Sequence, residues 1–299
     1  MNKLRNLTYI TYQTFPANTA NSLQTISNIA EIVKQGVKVK LIFPDRDNFS
    51  SDSLVKIQNF YGIEQDFEIV KLKHNLPFGK VKFFNKLTYH FSHFLWSKNT
   101  LKNLLSNSED EYFFTRSDWI FYFLSKQNKN VIFECHQPSK LRNIILKNCL
   151  SKKTSKIIFL NDSLFKYYEK FIKFDSNYIV LNNGYKNLLF KDKVKKKNNQ
   201  IVFVGELLRF GTTRNIEFII SCFEDQRLDK YNLKIVGGPE EYIQKLKKNR
   251  NNKFPKNIDF LGRLSHLDTI NVLKESEIGL LINSSKNNHS VKFTSPLKY

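Results

Sequence analysis

The stretch Ile201-Val202-Phe203-Val204-Gly205 decides the fold, because four apolar residues in succession end at a glycine. An apolar run without polar alternation is typical of a parallel strand that is covered on both faces. Three later segments of the same kind predict further strands, at residues 232–238, 258–262 and 278–283. Helical patterns lie between them, at residues 215–223, 240–248 and 267–275. Strands that alternate with helices predict right-handed βαβ units and a parallel sheet.

Four of the ten glycines fall where these strands end: Gly205, Gly237, Gly238 and Gly262. Ligands bind at the carboxyl ends of strands in parallel sheets, and backbone N–H groups at such turns can hold phosphate oxygens. A diphosphate also attracts fixed cations, for which Arg209, Arg214 and Lys298 are the candidates. The alternative for any one of the 48 Lys and Arg residues is an ordinary solvated surface charge.

The first half of the chain repeats the α/β pattern, with strands predicted at residues 7–12, 37–44, 67–72, 112–115, 131–135, 156–160 and 178–181. Residues 186–200 are charged and polar and predict a linker. We therefore expect an N-terminal Rossmann-like domain of residues 1–190 and a C-terminal one of residues 191–299. Two such domains in succession predict a cleft between their facing strand ends.

His136 is the candidate functional side chain of the first half, since it follows a predicted strand and precedes Pro138. A neutral imidazole at this position can hydrogen-bond a hydroxyl or phosphate group of a substrate. The alternative is a structural histidine in a βα loop. Glu134 lies two residues earlier on the same face of the strand, where it either orients the imidazole or forms a salt bridge.

The charge is strongly basic, with 48 Lys and Arg against 27 Asp and Glu in 299 residues, a net charge of +21. Either the composition is lysine-rich throughout, or the partner is anionic, a phospholipid surface or a nucleic acid. Zinc-finger spacing, RNP-like strands and KH-type loops are missing from the sequence, which weighs against nucleic acid. No segment approaches the roughly 20 apolar residues of a transmembrane helix. Three scattered cysteines are typical of buried thiols in a reducing cytosol.

Residues 83–105 predict a helix that is both aromatic and basic, with these aromatic side chains: Phe83, Phe84, Tyr89, Phe91, Phe94 and Trp96. Helical periodicity assigns most of this stripe to the core. The remainder is typical of a surface that faces a membrane.

The strand-end motifs resemble, in their order and spacing, the nucleotide-sugar domain of the family 4 retaining glycosyltransferases: Phe203-Val204-Gly205, Ile235-Val236-Gly237-Gly238-Pro239, Ile258-Asp259-Phe260-Leu261-Gly262-Arg263 and Thr294-Ser295-Pro296-Leu297-Lys298. The first half is similar to that family's acceptor domain through Phe15-Pro16, Ala20-Asn21, Glu134-Cys135-His136 and Asn183-Gly184. The resemblance covers the whole chain. It implies the α/β GT-B architecture, two Rossmann-like parallel-sheet domains facing across a cleft, with the sugar donor in the second and the acceptor in the first.

The resemblance also implies roles for single residues. The catalytic set would be His136 at the transferred sugar with Arg214 and Lys298 at the diphosphate. The nucleotide-sugar contacts would come from Gly205, Arg209, Gly237, Gly238, Gly262, Arg263, Ser295, Pro296 and Leu297. Arg263 falls where family members contact the base. No catalytic metal and no cofactor other than the donor substrate is expected.

The sequence departs from the family pattern at two places. The family usually has arginine after the glycine of its first donor-domain strand, where this chain has Glu206. The family's two spaced glutamates are also unmatched, since the first position falls near Phe293 and the sequence ends at Tyr299 before the second. We therefore expect an incomplete second domain.

The predicted function is transfer of a sugar, with retention, from a nucleotide-diphosphate sugar to a glycan or lipid-linked acceptor in surface polysaccharide synthesis. The enzyme would be cytoplasmic, peripheral on the anionic inner face of the plasma membrane, and without a nucleic-acid partner. The alternatives are a catalytically impaired GT-B-like binding protein, owing to the missing glutamate, and a sugar-nucleotide epimerase of the same architecture. Nucleic-acid binding rests on charge alone.

Overall fold

A computed structural model describes residues 6–76, 85–104, 112–184, 194–209, 212–251, 253–282 and 292. The chain divides into two compact units, Met1–Asn182 and Asn183–Tyr299. Each unit is an α/β structure with its own parallel sheet and core.

The first unit is built on a seven-stranded sheet, and all its neighbouring strands are parallel. Its strands are β1 (Asn6–Ile10), β2 (Lys38–Asp45), β3 (Glu68–Lys73), β4 (Tyr112–Thr115), β5 (Asn130–Cys135), β6 (Ser155–Phe159) and β7 (Tyr178–Val180). Its helices are α1 (Ala20–Lys34), α2 (Leu54–Tyr61), α3 (Asn85–Leu104), α4 (Asp118–Lys126), α5 (Lys140–Cys149) and α6 (Asp162–Tyr168). The strand order β3-β2-β1-β4-β5-β6-β7 reverses its direction between β1 and β4.

Side-chain caps set where most of these helices begin, because a hydroxyl or amide oxygen accepts a hydrogen bond from a free N–H group of the first turn. The capping residues are Thr19, Ser53, Ser117, Ser139 and Asn161. The core of the unit is aromatic and aliphatic, and its largest fully buried side chains include Tyr9, Phe43, Phe121, Phe133 and Phe159. The helices are thus fixed at the edge where the strands end.

The second unit contains a four-stranded parallel sheet in the order β12-β11-β8-β13 and a two-stranded antiparallel hairpin. Its strands are β8 (Lys197–Val204), β9 (Leu208–Arg209), β10 (Thr212–Thr213), β11 (Asn232–Val236), β12 (Ile258–Gly262) and β13 (Ser276–Leu280). Its helices are α7 (Ile216–Cys222), α8 (Glu240–Asn249) and α9 (His266–Glu275). The core packs around Phe203, Leu233 and Ile235, which are almost fully buried.

Residues 197–200 were predicted to belong to the linker, and that prediction is wrong, because they form the first half of β8. Gln200 is buried and its Nε2 donates to Ser276 Oγ at 2.9 Å. This contact pairs the polar start of β8 with the start of β13. A buried amide is tolerated in a strand when it has a hydrogen-bond partner, even where the polar composition predicts an exposed segment.

The aromatic helix α3 is divided between core and surface, as its periodicity indicated. Trp96 is 3% exposed, whereas Phe91 is 60% and Leu87 69% exposed. Phe83 and Phe84 lie outside the described residues. Within the described part of the chain, no helix combines the length and the apolar character needed to cross a bilayer.

Backbone hydrogen bonds donated by glycines join the strand ends of the second sheet. Gly205 N–H donates to Val236 O at 2.8 Å, and Gly237 N–H donates to Gly262 O at 2.7 Å. Gly237 has φ of +148°, and a Cβ atom there would lie 1.8 Å from Gly205 O. Only glycine therefore fits where β8 and β11 end side by side.

Gly237→Ala should destabilise the second unit by about 3 kcal/mol or more, because the new methyl group meets a backbone carbonyl and cannot be accommodated by a rotamer change. Gly279→Ala is the matched control, since a Cβ atom there has no neighbour within 4 Å. We expect it to change stability by about 1 kcal/mol or less. Urea denaturation of both variants is the measurement, and equal midpoints would contradict the steric argument.

Candidate functional site

The carboxyl edge of the first sheet carries a polar or charged side chain from each of five neighbouring strand ends. These residues are His74 after β3, Arg46 after β2, Tyr12 after β1, Arg116 after β4 and His136 after β5. In open parallel sheets ligands bind at this edge, where the strand order reverses. The reversal here falls between β1 and β4, so Tyr12 and Arg116 lie on either side of it.

His136 is held from both ring nitrogens. Arg116 Nη2 donates to His136 Nδ1 at 2.9 Å, and His136 Nε2 is hydrogen-bonded to the Glu134 carboxylate. A guanidinium group can only donate, so Nδ1 accepts and the ring proton is on Nε2. The contact that strand alternation predicted between Glu134 and His136 is therefore present. The imidazole is neutral, in a single tautomer.

Arg116 connects this histidine to the start of α1. Its Nη2 also donates to Asn21 Oδ1 at 2.9 Å, and its Nε lies 3.9 Å from Glu134 Oε1. Asn28 Nδ2 donates to Glu134 Oε2 at 3.4 Å. We name Asn21, Asn28, Arg116, Glu134 and His136 the histidine cluster.

The charges in this cluster are set by burial and by each other. Burial lowers the pKa of His136, and the positive charge of Arg116 lowers it further, against the raising effect of Glu134. Burial alone would raise the pKa of Glu134, but the hydrogen bond from His136 and the charge of Arg116 hold it below its usual value. Glu134 is therefore ionised and His136 neutral near pH 7.

Cys135 lies between the two on the strand and is fully buried. Burial raises the pKa of its thiol to about 11, so the thiol stays protonated near pH 7. The thiol is therefore no candidate nucleophile.

Sequence reasoning did not assign Arg116 to the site, and it noted Asn21 only as part of the Ala20-Asn21 motif of the resemblance. The available signal was an arginine directly after a predicted strand, but its partner His136 is 20 residues away and Asn21 is 95 residues away. The predicted contact between the imidazole nitrogens and a substrate would require Arg116 or Glu134 to leave its present hydrogen bond.

In the second unit, Glu206 and Arg263 form an ion pair across the middle of the sheet edge. Arg263 Nη2 lies 2.9 Å from Glu206 Oε2, and both side chains are exposed. Glu206 follows β8 and Arg263 follows β12, so the end of β11, at Gly237 and Gly238, lies between them. A Cβ atom on Gly238 would lie 2.9 Å from Arg263 Nε. The Arg263 side chain, from the neighbouring strand end, therefore lies against Gly238. The resemblance implies an arginine at the position of Glu206, and here Arg263 places a guanidinium on the same edge.

Arg214 is buried rather than solvated, with 7% exposure. Its Nε donates to Ile282 O at 3.2 Å, and its guanidinium carbon lies 5.4 Å from the centroid of the Phe203 ring. Its backbone N–H donates to Leu207 O at 3.0 Å. Arg214 therefore stabilises the second unit, and its predicted role at a diphosphate stays a prediction.

Several predicted site residues lie where the structure gives no account of them. Lys298, Ser295, Pro296 and Leu297 are outside the described residues, as is Phe293. Arg209 pairs through its backbone with Thr212 in the hairpin, and its side chain is outside the description. In the described ranges, no three His, Cys, Asp or Glu side chains form a cluster that could hold a metal ion.

No protein-family model matches the sequence. No curated protein matches it at a significant level. Among solved structures, HepE from Anabaena in complex with UDP and glucose is similar over 92% of this chain and 73% of its own, with 11% identity and a TM-score of 0.56.

Two further structures agree. A glycosyltransferase from Rickettsia africae is 15% identical, over 93% of this chain and 73% of its own, with a TM-score of 0.59. A TarM variant from S. aureus, in complex with fondaparinux, alpha-GlcNAc-glycerol and UDP, is 10% identical over 92% of this chain and 80% of its own, with a TM-score of 0.63. The fold is therefore GT-B, which confirms the predicted fold class.

Replacing Arg116 by glutamine should raise the pKa of His136 towards its ordinary value, because a nearby cation that disfavours protonation is removed. The measurement is an NMR titration of the His136 ring. Arg227→Gln is the control, since Arg227 is exposed and pairs with Asp225 on the second unit. A His136 titration that is the same in both variants would show that Arg116 does not set the protonation state.

Proposed function

We propose that the chain transfers a sugar from a nucleotide-diphosphate sugar, with UDP as the first nucleotide to test, to a hydroxyl group of a glycan or lipid-linked acceptor. One observation carries the proposal: the glycine-joined strand ends of the second sheet lie beside Arg263 in a fold shared with proteins crystallised with UDP. Closely approaching backbone with an adjacent guanidinium suits a diphosphate.

The proposed reaction proceeds with retention at the anomeric carbon. The bond from that carbon to the diphosphate oxygen breaks through an oxocarbenium-like transition state, and the acceptor oxygen bonds on the same face. The acceptor's proton passes to the departing diphosphate, so no protein base is needed. Negative charge develops on the diphosphate as the bond breaks, and positive groups at the carboxyl edge of the second sheet stabilise that charge.

The second unit would supply that stabilisation. Arg263 is the exposed cation of the edge, and in the free protein its charge is directed to Glu206. A bound diphosphate competes with Glu206 for the same guanidinium. Arg214 and Lys298 are proposed to assist it.

The proposed acceptor side is the edge of the first unit. The histidine cluster there presents a neutral imidazole whose position is fixed by Arg116 and Glu134. Both ring nitrogens are hydrogen-bonded in the free protein, so a contact with the transferred sugar is proposed to replace the hydrogen bond to Arg116 or to Glu134.

We further propose that the protein works at the cytoplasmic face of a membrane in polysaccharide synthesis. Two observations support this location, the net charge of +21 and the exposed apolar side chains Leu87 and Phe91 on α3. Positive charge attracts anionic lipid, and apolar side chains add burial at the interface.

Calorimetric titration with UDP, together with turnover of labelled UDP-glucose, tests the proposed function. Arg263→Gln should weaken UDP binding about tenfold, the loss expected for one charge-assisted hydrogen bond. Glu206→Gln should strengthen binding by roughly two- to threefold, because it removes a negative charge that competes with the diphosphate. Both positions are exposed, so neither change should disturb folding.

Arg227→Gln is again the control for loss of one positive charge. If Arg263→Gln binds UDP as the unaltered protein does, the assigned nucleotide edge is wrong. Binding of UDP without any turnover would favour the binding-protein alternative. If neither UDP nor another nucleoside diphosphate binds, the proposed function is wrong.

A further inference from the structure

Among the residues that the structure describes, Arg46 on the carboxyl edge of the first sheet has no counter-ion. It directly follows β2 and is half-buried. Its Nε is fully enclosed yet has no hydrogen-bond partner among the described residues, and within the same ranges the side chain forms no ion pair. The contact that fixes it is with Tyr12, whose ring centroid lies 4.5 Å from the guanidinium carbon.

The two acids beside Arg46 in the sequence are engaged elsewhere. Asp45 Oδ1 lies 3.5 Å from Lys71 Nζ. The Asp47 carboxylate accepts from the backbone N–H groups of Phe49, at 3.2 Å, and Ser50, at 2.8 Å. A guanidinium that is partly withdrawn from water gains most from a matching anion, and its sequence neighbours do not supply one.

The side chains around Arg46 are hydrogen-bonded but neutral. Tyr12 OH lies 2.8 Å from His74 Nε2 and 2.7 Å from Ser92 Oγ. His93 stacks on the Tyr12 ring at 4.2 Å. Burial lowers the pKa of His74 to about 4 and that of His93 to about 3, so both rings are uncharged near pH 7. Tyr12, His74 and His93 therefore do not neutralise the positive charge of Arg46.

This position is separate from the histidine cluster. Arg46 follows β2 and His136 follows β5, and the strand order places these ends three strand spacings apart. At about 4.8 Å per spacing that is roughly 14 Å, too far for one phosphate group to contact both. Both nevertheless lie on the same edge.

We propose that Arg46, positioned by Tyr12, binds a phosphate group of the acceptor substrate, as a monoester or diester remote from the hydroxyl that receives the sugar. That the bound phosphate belongs to an acceptor substrate rests on the proposed function. That an anion binds here rests on the geometry of Arg46. Phosphate is favoured over carboxylate, because it presents more oxygens to the forked guanidinium and a monoester carries more negative charge.

The test uses the full chain with UDP present in excess, so that a phosphate probe is kept from the nucleotide edge. Inorganic phosphate, glycerol phosphate and acetate are titrated in turn, and binding is followed at the Arg46 Nε–H signal in a nitrogen-15 spectrum. We expect the two phosphates to shift this signal and acetate to bind several-fold more weakly. Arg46→Gln should weaken phosphate binding about tenfold or more.

Arg250→Gln is the matched control, since it removes the same charge from a pair with Glu224 on the second unit. It should bind phosphate as the unaltered protein does. Equal weakening by both substitutions would show diffuse attraction to a basic protein and overturn the inference. Should Arg46→Gln fail to fold, the Nε–H signal of the unaltered protein decides, and an unmoved signal overturns the site.

Vesicles separate the two sources of the phosphate. Phosphatidylcholine vesicles with and without phosphatidylglycerol are sedimented with each variant. Arg46-dependent binding to the anionic vesicles assigns the phosphate to a lipid-linked acceptor, and Arg46-dependent binding of glycerol phosphate alone assigns it to a soluble one. If UDP fails to bind while phosphate still shifts Arg46, the proposed function is wrong and the acceptor role falls with it, but the anion site stands.

Discussion

The parallel direction of the strands is the constraint on which both edges depend. Parallel strands all end on one side of a sheet, so residues that are far apart in the sequence meet there without any local signal. In the first unit this constraint brings Asn21, Arg116 and His136 into hydrogen-bonding distance. In the second it places Glu206 and Arg263 on either side of the glycines that end β11.

The two edges use different chemistry. The first edge presents side chains, and those of the histidine cluster form hydrogen bonds with one another. The second presents backbone, because Gly205 and Gly237 approach so closely that no side chain fits between them. A backbone surface beside an exposed guanidinium suits a charged part of a ligand, whereas a surface of fixed polar side chains suits recognition of hydroxyl positions.

Sequence patterns located the strands well, because a buried parallel strand is a short apolar run. Residues 258–262 and 112–115 were predicted as strands with the bounds they have in β12 and β4. The pattern failed at residues 197–200, where composition indicated a linker and the pairing of Gln200 with Ser276 forms a strand. Composition also gave no sign of the buried contact between Arg214 and Phe203. Residues two apart on one strand, such as Glu134 and His136, were within reach of the sequence, but the link to Arg116 depends on strand order.

The three cysteines can report the unfolding of each unit separately. Cys135 and Cys149 are enclosed in the first unit, and burial raises the pKa of both thiols to about 11. Cys222 is partly exposed at the end of α7 in the second unit. An alkylating reagent reacts with thiolate that solvent can reach, so it marks Cys222 first and the other two after the first unit opens. The order in which the thiols are modified thus records local unfolding of each unit separately.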